Sequence, residues 1–207
     1  EAFPPHAMYK ASFEGAIGES FISMEDPRKH LLYRKLATPA FRSRAVARYE
    51  SEDLSALAHE LVDRLEGRDT FDLVESFTTR FPYLVISRLL GLPRDREEEF
   101  QNWAYALLSF REDPAAAQVA RDHLTDFLTP VVEARRKKPQ DDVISELLNV
   151  RVEGRALCDE EIHSHVRLLF PTGGETTYGS LGNLLYAVLG SNALWKTLRR
   201  EPSKAAA

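Results

Sequence analysis

A chain of 207 residues, 43% apolar and 29% charged, has the composition of a soluble globular protein and enough length to bury roughly 70% of its unfolded surface, so one large domain or most of one is expected. No apolar run approaches the roughly 20 residues of a membrane span, and the opening Glu1-Ala2-Phe3-Pro4-Pro5-His6 lacks the basic-then-apolar order of a signal peptide, which points to a cytoplasmic protein with no membrane association. The net charge of −5 hides a run from Pro27 to Tyr49 that holds Arg28, Lys29, Arg34, Lys35, Arg42, Arg44 and Arg48 and no acid.

Such a basic patch on an acidic protein fits an anionic ligand or an acidic partner better than duplex DNA, and a solvated helix face is the plain alternative. The single cysteine, Cys158, excludes an internal disulfide framework and a multi-cysteine zinc site.

In chain order, the first 26 residues are aromatic and glycine-containing without clear period and are expected to be mostly loop. A short helix is predicted from about Pro27 to Ala37, with proline in its first turn and Pro39 beyond its end. A second, from about Arg44 to Glu66, places Val46, Leu54, Leu57, Leu61 and Leu65 near one face before Gly67 stops it. The apolar stretch from Phe71 to Leu90 is closed by Gly91-Leu92-Pro93, and Pro82 should fall where a bend is tolerated. Arg94 to Phe110 and Ala115 to Lys137 read as amphipathic helices around the Glu112-Asp113-Pro114 turn, and the basic end Arg135-Arg136-Lys137-Lys138 suits the helix dipole. Asp141 to Val150 is a short helix, Val152-Glu153-Gly154-Arg155 a turn, Asp159 to Gly190 a long helix, and Ser191 to Arg200 a final short one. No repeat, low-complexity region or strong strand signal is present. The closing Lys204-Ala205-Ala206-Ala207 resembles a cloning scar, so residues 1–204 are expected to form a single helical domain and 205–207 to lie outside it.

The most informative segment is Pro171-Thr172-Gly173-Gly174-Glu175-Thr176-Thr177, inside the long helical pattern. On propensity alone a proline costs roughly 3 kcal/mol and a glycine about 1 kcal/mol, so all three breakers together cost on the order of 5 kcal/mol. Two readings fit. One is a long helix locally opened, with the Thr176 hydroxyl competing for backbone carbonyls beside a groove. The other is two ordinary helices joined by a Pro-Thr-Gly-Gly turn, with Thr172 or Thr176 as a cap.

Two further constellations carry chemistry. His30 and Arg34 lie four apart on the first short helix and can grip one anion from adjacent turns, although such a pair is usually plain surface chemistry. Glu160-Glu161-Ile162-His163-Ser164-His165 contains one Glu-x-x-His, where a di-iron site needs two from different helices, and His163 and His165 point to different helix faces. No metal site is expected there.

Taken together these residues resemble a family. Glu25-Asp26-Pro27-Arg28-Lys29-His30-Leu31-Leu32-Tyr33-Arg34-Lys35-Leu36 through Thr38-Pro39-Ala40-Phe41 is similar to the cytochrome P450 segment in which a His-x-x-x-Arg helix ends in a Pro-x-Phe-like step. Thr172-Gly173-Gly174-Glu175-Thr176-Thr177 resembles the same family's oxygen-groove motif, small-Gly-x-acid-Thr-Thr. Between them, the run from Leu84 to Pro93 matches the family's helix ending in Leu-Gly-x-Pro, Leu157 to Ile162 matches its entry into the central helix, and Leu194 to Pro202 looks like the helix that follows. The order of the motifs is the family's own, and the resemblance covers nearly the whole chain.

The resemblance implies an all-α, partial cytochrome P450-like fold with a long kinked central helix and a b-type haem beneath it. His30 and Arg34 would hold the propionates, and Gly173 would let the helix approach the cofactor; arginine's bidentate, permanent charge suits a buried carboxylate edge. Glu175 and Thr176 would relay protons to dioxygen, while Leu168, Pro171, Thr172 and parts of the helices around Trp103 to Phe110 would face a small organic substrate. A ferredoxin-type or flavoprotein electron donor is the implied partner. The family's cysteine loop, its later Glu-x-x-Arg helix and its sheet-rich N-terminal portion have no counterpart here, and Cys158 sits at a helix cap about 18 helical residues, roughly 27 Å, from Thr176. The expectation is therefore an internal fragment of a P450-like monooxygenase, inactive alone and able to associate through exposed apolar surface. A non-enzymatic helical ligand-binding module or regulator, or an interaction protein with P450-like packing and no haem, is the alternative.

Overall fold

Helical periodicity becomes helix almost everywhere in the computed structural model, which describes residues 7–20, 23–41 and 53–206. The first departure from expectation is α1 (Ala7–Ala16), which replaces part of the expected loop. Phe13, Ala16 and Ile17 fall at the i, i+3, i+4 spacing of one face and are all buried. Phe13 meets Phe110 edge-on at 5.8 Å, and Arg121 Nη1 donates to the Glu14 and Gly15 carbonyls at 3.2 and 2.7 Å. These tertiary donors add to a local stop, the left-handed Gly18 at φ 95°, whose N–H donates to the Glu14 carbonyl at 2.9 Å.

The next helix, α2 (Pro27–Ala37), starts where the sequence places it: the Asp26 side chain accepts from Arg28 N–H at 2.9 Å and Pro27 takes the first helical position. A 3₁₀ turn, Thr38–Phe41, continues it. Helix α3 (Asp53–Asp63) buries Leu57 and Leu61, with Leu65 just beyond; the expected start near Arg44 and Val46 lies outside the described residues. The apolar stretch that follows opens with an exposed Phe71 and a π-helical turn, Val74–Thr78, before α4 (Arg80–Leu90). Pro82 is buried in the first turn of α4, where its missing N–H leaves no helical bond unmade, and Gly91 closes the helix at φ 71°.

Helices α5 (Glu97–Leu108) and α6 (Pro114–Lys137) follow, α6 capped by Asp113, whose carboxylate accepts from Ala116 N–H at 2.9 Å. Helix α7 (Val143–Asn149) is capped in the same way by the buried Asp142. The expected turn at Val152–Arg155 is an isolated antiparallel bridge, with Glu153 and Gly154 both left-handed. Helix α8 (Asp159–Leu189) then runs for 31 residues, and α9 (Asn192–Arg200) and a 3₁₀ turn, Pro202–Ala206, complete the described chain. No helix among the described residues is long and apolar enough to cross a membrane.

Helix α8 decides between the two readings of the Pro-Gly segment: it is continuous through Pro171 and both glycines, not two rods joined by a turn. Pro171 has no N–H for the Arg167 carbonyl, and the hydroxyls of Thr172, Thr176, Thr177 and Ser180 each donate to the carbonyl four residues back, at 2.6, 2.7, 2.8 and 2.9 Å. Back-bonds of this kind, like the proline itself, bend helices without ending them. The propensity cost is offset by packing, because the first half of α8 is core: Ile162, Val166, Leu168, Phe170, Pro171 and Gly174 are buried against α4, α5 and α6. Its second half is not, with Leu184, Leu189 and, at 84% exposure, Tyr186 facing outward beside Leu194 and Trp195 of α9.

Candidate functional site along the central helix

On α8, His165, Leu169, Thr172 and Thr176 recur at intervals of four, three and four residues, which puts them on one face. The upper part of that face meets α2 and its 3₁₀ extension across a cleft of about 380 Å³, lined by Arg34, Ala37, Thr38, Phe41, His165 and Leu169. The polar groups of the cleft are one guanidinium, one imidazole and the Thr38 hydroxyl, which donates to the Arg34 carbonyl at 2.6 Å. Arg34 is exposed at its edge; His30, one turn earlier on α2, is half-buried and is not part of the lining. His165 is fully buried and donates from Nδ1 to the Glu161 carbonyl at 2.8 Å, and burial pushes its pKa down, so the ring stays neutral.

Two turns further along, about 10 Å of helical rise from Leu169, Thr176 and Glu175 are both exposed. The Thr176 hydroxyl donates to the Thr172 carbonyl, so its lone pairs face outward as acceptors. Thr172 is half-exposed on the same face, whereas Leu168 and Pro171 are buried on the core side. The two glycines differ. A Cβ on Gly173 would meet Ile86 at an ordinary 3.4 Å, while one on Gly174 would lie 2.5 Å from Cδ1 and Cζ of Tyr83 and nearer still to Cε1. The Tyr83 ring occupies the notch that Gly174 leaves, wedged against Phe170 at 5.6 Å and Tyr105 at 5.8 Å. Sequence reasoning missed this pair, since nothing in the spacing of Tyr83 marks it as the partner of a glycine 91 positions away.

Other expected participants sit elsewhere. Trp103 packs with Phe100, Phe127, His123 and the Arg96 guanidinium on the outer side of α5 and α6. Glu160 is taken up by Arg121 and Arg167, so the lone Glu-x-x-His carries an ion pair. Cys158 is the exposed N-cap of α8, with its N–H donating to Glu161 Oε2 at 2.9 Å. Of the basic run, Lys29 pairs with Glu19 at 2.6 Å, Arg28 and Lys35 are exposed, and Arg42, Arg44 and Arg48 lie outside the described residues.

No family model matches the chain. Individual proteins do. It is 33% identical over 178 residues to cytochrome P450 107B1 of Saccharopolyspora erythraea, covering 86% of this chain and 44% of that one. It is 31% identical over 188 residues to the steroid C26-monooxygenase of Mycobacterium tuberculosis, covering 88% of this chain and 50% of that one. The fold superposes on the cytochrome P450 CYP109Q5 from Chondromyces apiculatus with a TM-score of 0.80 at 31% identity, over 90% of this chain and 46% of that structure. The chain belongs to the cytochrome P450 family. It spans about half the length of the curated P450 relatives it matches. Its all-helical architecture is the helical part of the P450 fold, and α8 is the long central helix that the Thr-Gly-Gly-Glu-Thr-Thr motif marks.

Proposed function

We propose that this chain forms one wall of the haem and oxygen site of a P450 monooxygenase that hydroxylates a small organic substrate. The observation that carries the proposal is the cleft between α2 and α8, where the Arg34 guanidinium and the apolar Ala37, Phe41 and Leu169 converge on the helix face that continues to Thr176. Those residues fit a b-type haem, an apolar plane with carboxylates on one edge. The haem supplies the redox chemistry that activates dioxygen.

The chain's own residues bind, orient and move protons. Arg34 holds a propionate through a charge-assisted, bidentate contact, with His30 one turn away on the same face of α2 as a second donor. Gly173, where an added Cβ would come within 3.4 Å of Ile86, would keep the helix surface low beside a bound haem. Thr176 accepts a hydrogen bond while its own proton rests on the Thr172 carbonyl, and the exposed Glu175 exchanges protons with solvent beside it. Thr172, one turn earlier and half-exposed on the same face, shapes the substrate side, and Leu168 and Pro171, which face the core, support it from behind. The exposed Arg28 and Lys35 suit an acidic ferredoxin-type or flavoprotein electron donor, and the outward Leu184, Tyr186, Leu189, Leu194 and Trp195 suit self-association.

Hemin titration of the chain, followed through the Soret band, tests the reading. Saturable binding that weakens by about ten- to a hundredfold in Arg34→Ala is expected for the loss of a charged hydrogen bond. Binding that is absent, or indifferent to Arg34, would overturn it. The reduced carbon monoxide complex should lack the thiolate-type band, because Cys158 caps the helix end roughly 27 Å of rise from Thr176.

A further inference from the structure

Where α2 meets the start of α8, two side chains, Tyr33 and Arg155, converge on the Glu161 carboxylate. The hydroxyl of Tyr33, a residue only 3% exposed, donates to Glu161 Oε1. Arg155 Nη2 donates to that hydroxyl at 2.8 Å and to the same carboxylate oxygen at 2.5 Å. The Arg155 guanidinium also lies 4.6 Å from the centroid of the Tyr33 ring, which stacks on His165 at 6.3 Å and 24°. Glu161 Oε2 is taken by the Cys158 N–H, so the carboxylate is fixed at the first turn of α8. Arg155 is delivered by the tight Val152–Arg155 bridge.

The cluster bears directly on the cleft. Tyr33 precedes Arg34, and neighbouring helical residues are about 100° apart around the axis, so anchoring Tyr33 on α8 sets the rotation of α2 and the direction in which Arg34 points. His165, which the Tyr33 ring covers, is itself a wall of the cleft, so the same contact sets the spacing between Arg34 and α8. Burial, followed by the bond to Glu161, pushes the Tyr33 hydroxyl up to about 12, so it remains a donor at any working pH.

We infer that Tyr33, Arg155 and Glu161 are positioning residues that hold α2 against α8 and thereby aim Arg34 at the carboxylate edge of the cofactor. This rests on the haem reading above. Hemin and its dimethyl ester, which lacks the carboxylates, are titrated into the wild-type chain and into Tyr33→Phe, Glu161→Gln and Arg155→Lys. Hydrogen exchange of α2 and α6 amides is measured on the same proteins without porphyrin. The expected result is a loss of hemin affinity of about tenfold with the ester affected less than twofold, and no further loss from Tyr33→Phe once Arg34 is alanine. Amides of α2 should exchange about tenfold faster and those of α6 at the wild-type rate. An equal loss for both porphyrins, or unchanged α2 exchange, would overturn the inference. If the wild-type chain binds neither porphyrin, the haem reading and the aiming of Arg34 fall together, and unchanged or accelerated α2 exchange decides separately whether the cluster holds the two helices.

Discussion

Replacing Gly174 by alanine isolates the contact on which the geometry of α8 depends. In an open helix the change stabilises by about 1 kcal/mol through backbone entropy. Here the new methyl would lie 2.5 Å from two ring carbons of Tyr83 and closer to a third, so about 1 Å of movement is needed to reach ordinary carbon–carbon separation. The ring cannot supply it cheaply. Tyr83 is 1% exposed, and Phe170 and Tyr105 pack against it. Overpacking of this kind costs about 3 kcal/mol at the upper end of its range, leaving a net loss of about 2 kcal/mol after the helical gain is subtracted. For a chain of this length that lowers the melting temperature by about 4–8 °C. Thermal unfolding followed by far-ultraviolet circular dichroism reads it directly, and two comparators sharpen it. Gly179→Ala, with no heavy atom within 4 Å of the new methyl, should raise stability by about 0.5–1 kcal/mol. Tyr83→Leu in the Gly174→Ala background should recover part of the loss, a coupling of about 1–2 kcal/mol. A Gly174→Ala protein that melts at or above the wild-type temperature would refute the steric account of the motif's second glycine.

Glu160→Ala should cost about 3 kcal/mol in urea unfolding, far more than an exposed carboxylate usually does, because it strips an ionic partner from the fully buried Arg167. Among the described residues Arg167 would keep the Ile17 carbonyl and the Thr125 hydroxyl, at 2.7 and 2.6 Å. Burial pushes the Glu161 carboxyl up, but hydrogen bonds from Tyr33, the Cys158 N–H and Arg155 outweigh it and hold the carboxyl below its usual 4.5. Its contribution to stability is therefore complete above about pH 4.5 and is lost as pH falls through the lower folded value, and Glu161→Gln should flatten that acid limb of the melting curve. Cys158→Ser should leave stability within about 0.5 kcal/mol and the hemin spectrum unchanged, since the cap is held through the Cys158 backbone N–H; a spectral change would place the sulfur on the iron.

What the sequence made legible is what local chemistry encodes. Pro27, Asp113-Pro114, Ser191 and Gly91 each mark a helix end, and each is found there, while the caps made by Asp26 and Asp142 emerge with their hydrogen bonds in the structure. Helix α1 escaped because its buried face consists of Phe13, Ala16 and Ile17, too few and too small to stand out beside Gly15 and Gly18, and because part of what holds its C-terminal end is Arg121, more than 100 residues away. The Pro171–Thr177 segment showed that propensity alone was misleading about continuity, since the offsetting terms are tertiary: Tyr83 in the Gly174 notch and the burial of Pro171.

The candidate site divides along the same line. Its chemistry-bearing residues, Arg34, Glu175 and Thr176, belong to short motifs readable within a dozen residues, whereas what aims them does not. Tyr33 and Glu161 are 128 positions apart, and neither spacing nor residue type announces their contact. Helix α8 carries this argument to its end. It is core through Gly174 and exposed from Glu175 to Thr177, after which large apolar side chains such as Leu184, Tyr186 and Leu189 face outward. The Thr-Gly-Gly-Glu-Thr-Thr motif thus lies at the boundary where the helix leaves the packing of the described residues, so its backbone is held from one side by α4 while Glu175, Thr176 and Thr177 face outward.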